Sequence, residues 1–132
     1  MKYLQHSTIN RRKRQASMKK LLLTTILISC FSEGSERSVN EIWCAEQGGV
    51  TEHRTSYGTY VDCLTKDLAI EVEYDYNWKE SIGQSLHYAE ATNRSAAILL
   101  IKGSKSSVNY LEQLNAVIDK YDLPIKVFVT NQ

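Results

Sequence analysis

The chain predicts one mixed α/β domain of the α+β kind, with elements in the order α-β-β-β-α-β-α-β. Three observations carry this. Ala96 to Ile101 (AAILLI) is an unbroken apolar run, as expected of a strand covered on both faces. Trp78, Ile82, Leu86 and Ala89 recur at helical spacing, and so do Leu111, Leu114, Val117 and Ile118. Between Val50 and Tyr74, short alternating segments are separated by turn residues.

In chain order, Ser38 or Asn40 caps a first helix that runs to about Gln47, and Gly48-Gly49 stops it. Val50 to Thr55 reads as a strand, Ser56-Tyr57-Gly58 as a turn and Tyr60 to Leu64 as a second strand. Thr65-Lys66-Asp67 turns the chain into a third strand, Ala69 to Tyr74, and the three form an antiparallel meander. A helix follows from Trp78 to about Thr92, then the strand Ala96–Ile101 and a helix from Ser107 to Tyr121. Leu123-Pro124 breaks that helix, and Ile125 to Val129 is the last strand. The chain has 132 residues, enough for one domain, expected over residues 39–132.

The N-terminal part reads differently. Arg11-Arg12-Lys13-Arg14 and Met18-Lys19-Lys20 precede the apolar run Leu21 to Ile28, and small residues follow. A charged segment, a short apolar segment and small residues describe a secretory signal over residues 1–32. The apolar run is far below the roughly 20 residues of a spanning helix. Met18 is a natural start, which makes residues 1–17 a candidate misassigned upstream extension. Leu27-Ile28-Ser29-Cys30 also fits a lipobox, with Cys30 as the lipid anchor; cleavage near Ser32 or Gly34 is the alternative. An extracytoplasmic location, periplasmic or secreted, follows from either route.

Removal of Cys30 from thiol chemistry leaves Cys44 and Cys63, either as one disulfide or as two buried thiols. Charge divides along the chain too. Residues 1–30 hold seven Lys or Arg and no acid, so residues 31–132 hold nine basic and fifteen acidic residues, a net charge of −6. That balance lacks the basic footprint of a strong nucleic-acid binder.

The chemistry-bearing residues cluster between Asp62 and Tyr88. Side chains alternate along Ala69–Tyr74, so Ile70, Val72 and Tyr74 share one face and Glu71 and Glu73 the other. Asp62 lies on the preceding strand, on the side opposite Val61 and Cys63, and a hairpin brings it toward Glu71. Hard oxygen ligands at that spacing suit Mg²⁺ or Mn²⁺; a solvated polar face is the alternative. Gln84 and Tyr88, four apart, project together from the following helix.

Asp62, Glu71-x-Glu73 and Gln84-x-x-x-Tyr88, in that order of elements, resemble the PD-(D/E)xK nuclease superfamily and its RecB-like branch with Q-x-x-x-Y. Trp43-Cys44, Gly48-Gly49, Glu52-His53-Arg54, Gly58 to Thr65, Ala69-Ile70-Glu71 and Trp78 to Ala89 are similar to small secreted proteobacterial proteins of unknown function. The resemblance implies a restriction-endonuclease-like αβββαβ core with an additional C-terminal α-β. It implies Asp62 and Glu71 as metal ligands, Glu46 as the carboxylate from the first helix with Glu52 as its rival, and Gln84 and Tyr88 as orienting groups. The superfamily has lysine where this chain has Glu73. Glu73 would then serve as general base, or Lys79 would supply a migrated cation. The implied activity is Mg²⁺-dependent hydrolysis of DNA or RNA. The alternative is a catalytically silent module of the same fold that binds a protein partner, or an envelope-associated lipoprotein.

Overall fold

The computed structural model describes residues 35–131 apart from 104 and 106, within a unit spanning Gly34–Gln132. The signal segment, the start at Met18 and the lipid-anchor candidate Cys30 lie outside the described residues. The fold is α+β. Its elements are α1 (Glu36–Glu46), β1 (Val50–Arg54), β2 (Tyr60–Leu64), β3 (Leu68–Tyr74), a 3₁₀ turn (Asp75–Asn77), α2 (Trp78–Thr92), β4 (Ser95–Lys102), α3 (Tyr110–Tyr121) and β5 (Ile125–Asn131). The five strands form one sheet in sequence order.

β1, β2 and β3 are antiparallel neighbours, the expected meander, while β3, β4 and β5 run parallel. Parallel neighbours need crossovers, and α2 and α3 supply them. Both lie on one face. There Trp78, Ile82, Leu86, Leu111, Leu114, Val117 and Ile118 pack with Ala96, Ile98, Leu100 and Ile125. α1 covers the other face, where Val39, Trp43 and Cys44 meet Cys63, Ile70, Val72, Ala97, Leu99 and Ile101. Ala96 to Ile101 is buried throughout, so the unbroken apolar run does mark a strand covered on both sides.

Two helices begin elsewhere than expected, each for a capping reason. α1 starts at Glu36, ahead of the expected caps Ser38 and Asn40, because the Ser35 hydroxyl accepts from the Ser38 N–H at 3.3 Å. α3 starts at Tyr110 rather than Ser107, because the Asn109 side chain accepts from the Glu112 N–H at 3.2 Å. α2 and α3 both end on a left-handed residue, Asn93 (φ 52°) and Asp122 (φ 49°), types that tolerate that conformation.

A Cys44–Cys63 disulfide joins α1 to β2, with Cα atoms 5.7 Å apart. Of the two alternatives for these cysteines, the bridge is therefore the one formed. Gly49 is the residue that lets the chain turn beneath it. A Cβ there would stand 2.7 Å from each of the two sulfurs, so only glycine fits.

Candidate functional site: an acidic fork between β2 and β3

The two strands pair closely at Cys63–Ile70 and Leu64–Ala69, and the ladder stops there. Beyond that point the Asp62 side chain takes over from the backbone. Its Oδ2 accepts the Val72 N–H at 2.8 Å, and its own carbonyl accepts from Asn40 Nδ2 of α1 at 2.9 Å. The strand cannot keep its alternation through such a contact. Val61 packs with Ala69 and Tyr88 on the α2 face, whereas Cys63 packs with Cys44 on the α1 face. This corrects the expectation that Val61 and Cys63 share a side. Across the β1–β2 ladder, Glu52 falls between Thr51 and His53, the partners of Cys63 and Val61, and therefore beside Asp62. Its φ of 54° is unusual for a non-glycine residue inside a strand.

Carboxyls gather at this fork from four elements. Asp62 and Glu71 interact directly, as do Glu36 and Glu73, and Glu52 acts on Asp62 through its charge. Glu71 is 3% exposed, and its Oε2 has no hydrogen-bond partner. Burial, then the neighbouring Asp62 charge, pushes the Glu71 carboxyl up to about 10. Burial and Glu73 together push Glu36 to about 7, and burial raises Asp62 against the opposing pull of the Val72 N–H. The fork thus holds protons at neutral pH, because crowded carboxylates cannot all ionise.

The other candidates divide. Tyr88 is buried and donates to Gln84 Oε1 at 3.3 Å. Burial, with the charges of Glu71, Asp62 and Glu52, keeps its phenol protonated well above the usual tyrosine range. Gln84 and Tyr88 therefore line the fork beside Glu71. Glu73 Oε1 accepts from the Tyr74 N–H at 2.8 Å and from Asn77 Nδ2 at 3.2 Å. Lys79 is exposed, with its ammonium 5.9 Å from the Trp78 ring centre. Glu46 is exposed at the far end of α1; ten residues at about 1.5 Å each separate it from Glu36. The helix carboxylate at the fork is Glu36, which carries the one sequence signal that could have found it: an acid in the first turn after a capping serine.

Close as these carboxyls are, no three His, Cys, Asp or Glu side chains among the described residues are placed so that they could hold one metal ion. The donor chemistry nonetheless fits a hard divalent cation: paired carboxyls, with one buried oxygen lacking a partner. A cleft of about 330 Å³ opens by α3, lined by residues that include Asp75, Lys102, Asn109 and Val129 but none of the fork carboxyls. Among the described residues, no helix is long and apolar enough to cross a membrane.

Fold and fork together define a small α+β domain with a buried Glu71 carboxyl beside a half-buried Asp62 at a strand junction. No family model matches the chain, and no solved structure matches it. It is similar to two proteins of Acanthamoeba polyphaga mimivirus. One, a putative KilA-N domain-containing protein L32, is 37% identical over 79 residues, which are 59% of this chain and 20% of that protein. The other, a putative KilA-N domain-containing protein L33, is 29% identical over 102 residues, 74% of this chain and 39% of that protein. The chain spans about a fifth and two fifths of the lengths of these relatives.

Proposed function

We propose that the fork binds Mg²⁺ or Mn²⁺ through Asp62 and Glu71 and hydrolyses phosphodiesters of DNA or RNA, in an exported protein. The observation that carries this reading is the buried, partnerless Glu71 Oε2 beside Asp62 at the point where β2 and β3 part. A buried polar atom without a partner costs stability, and a bound cation would remove that cost. Order of elements supports the reading too, because it reproduces the αβββαβ arrangement of the nuclease superfamily that Asp62, Glu71 and Gln84-x-x-x-Tyr88 resemble.

A bound ion would polarise the phosphoryl group and lower the pKa of an attacking water. The protein's own groups would position the reactants. Asn40 and the Val72 N–H hold Asp62, while Tyr88 and Gln84 form a wall beside Glu71. Glu73, in the place of the usual lysine, is a candidate base; Glu36 beside it would hold or release a proton near neutral pH. The Cys44–Cys63 bridge supports export to an oxidising compartment. The viral relatives carry a KilA-N label, but the matched stretch is a minor part of each, so the label is not transferred.

A second reading is a silent binding module of the same fold. Lys79 favours it: this candidate cation lies over Trp78, whose ring packs in the α2–α3 core. Plasmid nicking in Mg²⁺ and Mn²⁺ separates the two. Wild type should nick, and Asp62→Asn and Glu71→Gln should lose activity while melting no earlier than wild type without metal. Glu73→Lys should keep or raise activity if Glu73 only occupies the lysine position, and lose it if Glu73 is the base. Wild type that neither binds Mn²⁺ nor nicks DNA or RNA leaves the binding module.

A further inference from the structure

An aromatic ledge adjoins the fork. Tyr74 follows Glu73 directly, and its ring lies over Gly103 at the end of β4: a Cβ on Gly103 would stand 2.6 Å from Tyr74 Cδ1. The Gly103 N–H also reaches Asp75 Oδ1, at 3.4 Å, which ties the exit of β4 to the turn after β3. Tyr76 stacks on Tyr74, with ring centres 5.4 Å apart and 5° between the planes, the arrangement of an offset-stacked pair. Tyr74 is thus held from below by backbone and covered from above by Tyr76, which is 49% exposed. Glu73 Oε1 accepts from the Tyr74 N–H and from Asn77 Nδ2, on either side of Tyr76 in the chain, so ledge and fork are contiguous. Lys79, three residues on, and Lys102, beside Gly103, are exposed.

A half-exposed flat ring backed by a second ring is the arrangement on which unpaired bases stack. A paired base inside a duplex offers no such face. We infer that Tyr76, backed by Tyr74, is a stacking platform for an unpaired nucleobase of a single-stranded nucleic acid, placing the adjoining phosphate toward Asp62 and Glu71. This rests on the proposed phosphodiester chemistry for its purpose, but not for its detection.

The test uses the full chain in Ca²⁺, with a fluorescein-labelled oligothymidylate, an abasic strand of equal length, the matching RNA and a duplex. Wild type should bind the single strands more tightly than the duplex and the abasic strand. Tyr76→Ala should weaken single-strand binding about tenfold with duplex binding unchanged, and Tyr76→Trp should restore it. A 2-aminopurine in the strand should be quenched by wild type and not by Tyr76→Ala. Dependence on Tyr76 with either sugar supports the platform, and the tighter of the two names the substrate. Equal binding by Tyr76→Ala, equal binding of the abasic strand, or no binding of single strands overturns it. Parallel cleavage in Mn²⁺ keeps the two ideas apart. Binding through Tyr76 without cleavage sinks only the hydrolytic reading; cleavage with no Tyr76 dependence sinks only the platform.

Discussion

The two halves of the sheet are built on different principles. In the parallel half, Leu68–Tyr74 runs in step with Ser95–Ile101, and Ala96–Lys102 with Ile125–Asn131, without a break. In the antiparallel half, β2 and β3 pair only at Cys63–Ile70 and Leu64–Ala69, then part around a carboxyl. The first half buries apolar side chains, and the second buries acids: Glu71 fully, with Asp62, Glu36 and Glu73 around it. β3 belongs to both. It is held from Ile70 and Val72 by the apolar core and presents Glu71 and Glu73 to the fork. A rigid ladder on one side thus allows an electrostatically costly junction on the other.

This contrast makes graded predictions. Leu100→Ala in the parallel half should cost about 2–5 kcal/mol, read from urea unfolding, because the site is fully buried between β4 and the crossover helices. A loss below about 1 kcal/mol would mean that the parallel half is not the rigid partner. Reducing the Cys44–Cys63 bridge, which closes a separation of 19 residues, should cost about 3 kcal/mol by freeing the unfolded chain. Reduction should also loosen the fork, since Cys63 adjoins Asp62; amide exchange at Val72 would report it.

Charge in the fork gives the next effect. The Glu71 carboxyl loses its proton near 4.5 when unfolded and near 10 when folded. Between those values the folded state binds more protons, so stability falls as pH rises from about 4.5 toward 10. At pH 7 the loss relative to acid conditions is on the order of 3 kcal/mol. Glu71→Gln should flatten this slope in metal-free thermal melts, and an unchanged slope would place the titration elsewhere. Smaller still, Gly49→Ala should destabilise by about 1–3 kcal/mol, because its Cβ would press on both bridge sulfurs. The penalty should shrink once the bridge is reduced.

The parallel half was legible because its signals are local and periodic. AAILLI and the Trp78/Ile82/Leu86 stripe state their burial in residue type and spacing alone. The fork was legible only in part. Alternation along β3 correctly puts Glu71 and Glu73 apart from Ile70 and Val72. Alternation along β2 fails at Asp62, where a side chain replaces a strand partner, and no period records that substitution. Glu52 has a left-handed backbone with no glycine to announce it. Glu36 was hidden in a polar stretch whose Ser35 is a helix cap, and its meeting with Glu73 depends on how α1 lies across the sheet. Glu46 sits on the same helix at the wrong end, a choice that the packing direction makes and the helical period cannot.

The most direct measurement is a crystal of the oxidised protein soaked in Mn²⁺, with anomalous scattering used to locate the ion. A peak is expected between Asp62 and Glu71, with Glu71 Oε2 as a ligand and no peak in Glu71→Gln. Saturating Mn²⁺ with no peak at the fork, or a peak bound only by exposed carboxylates such as Glu46, would contradict it.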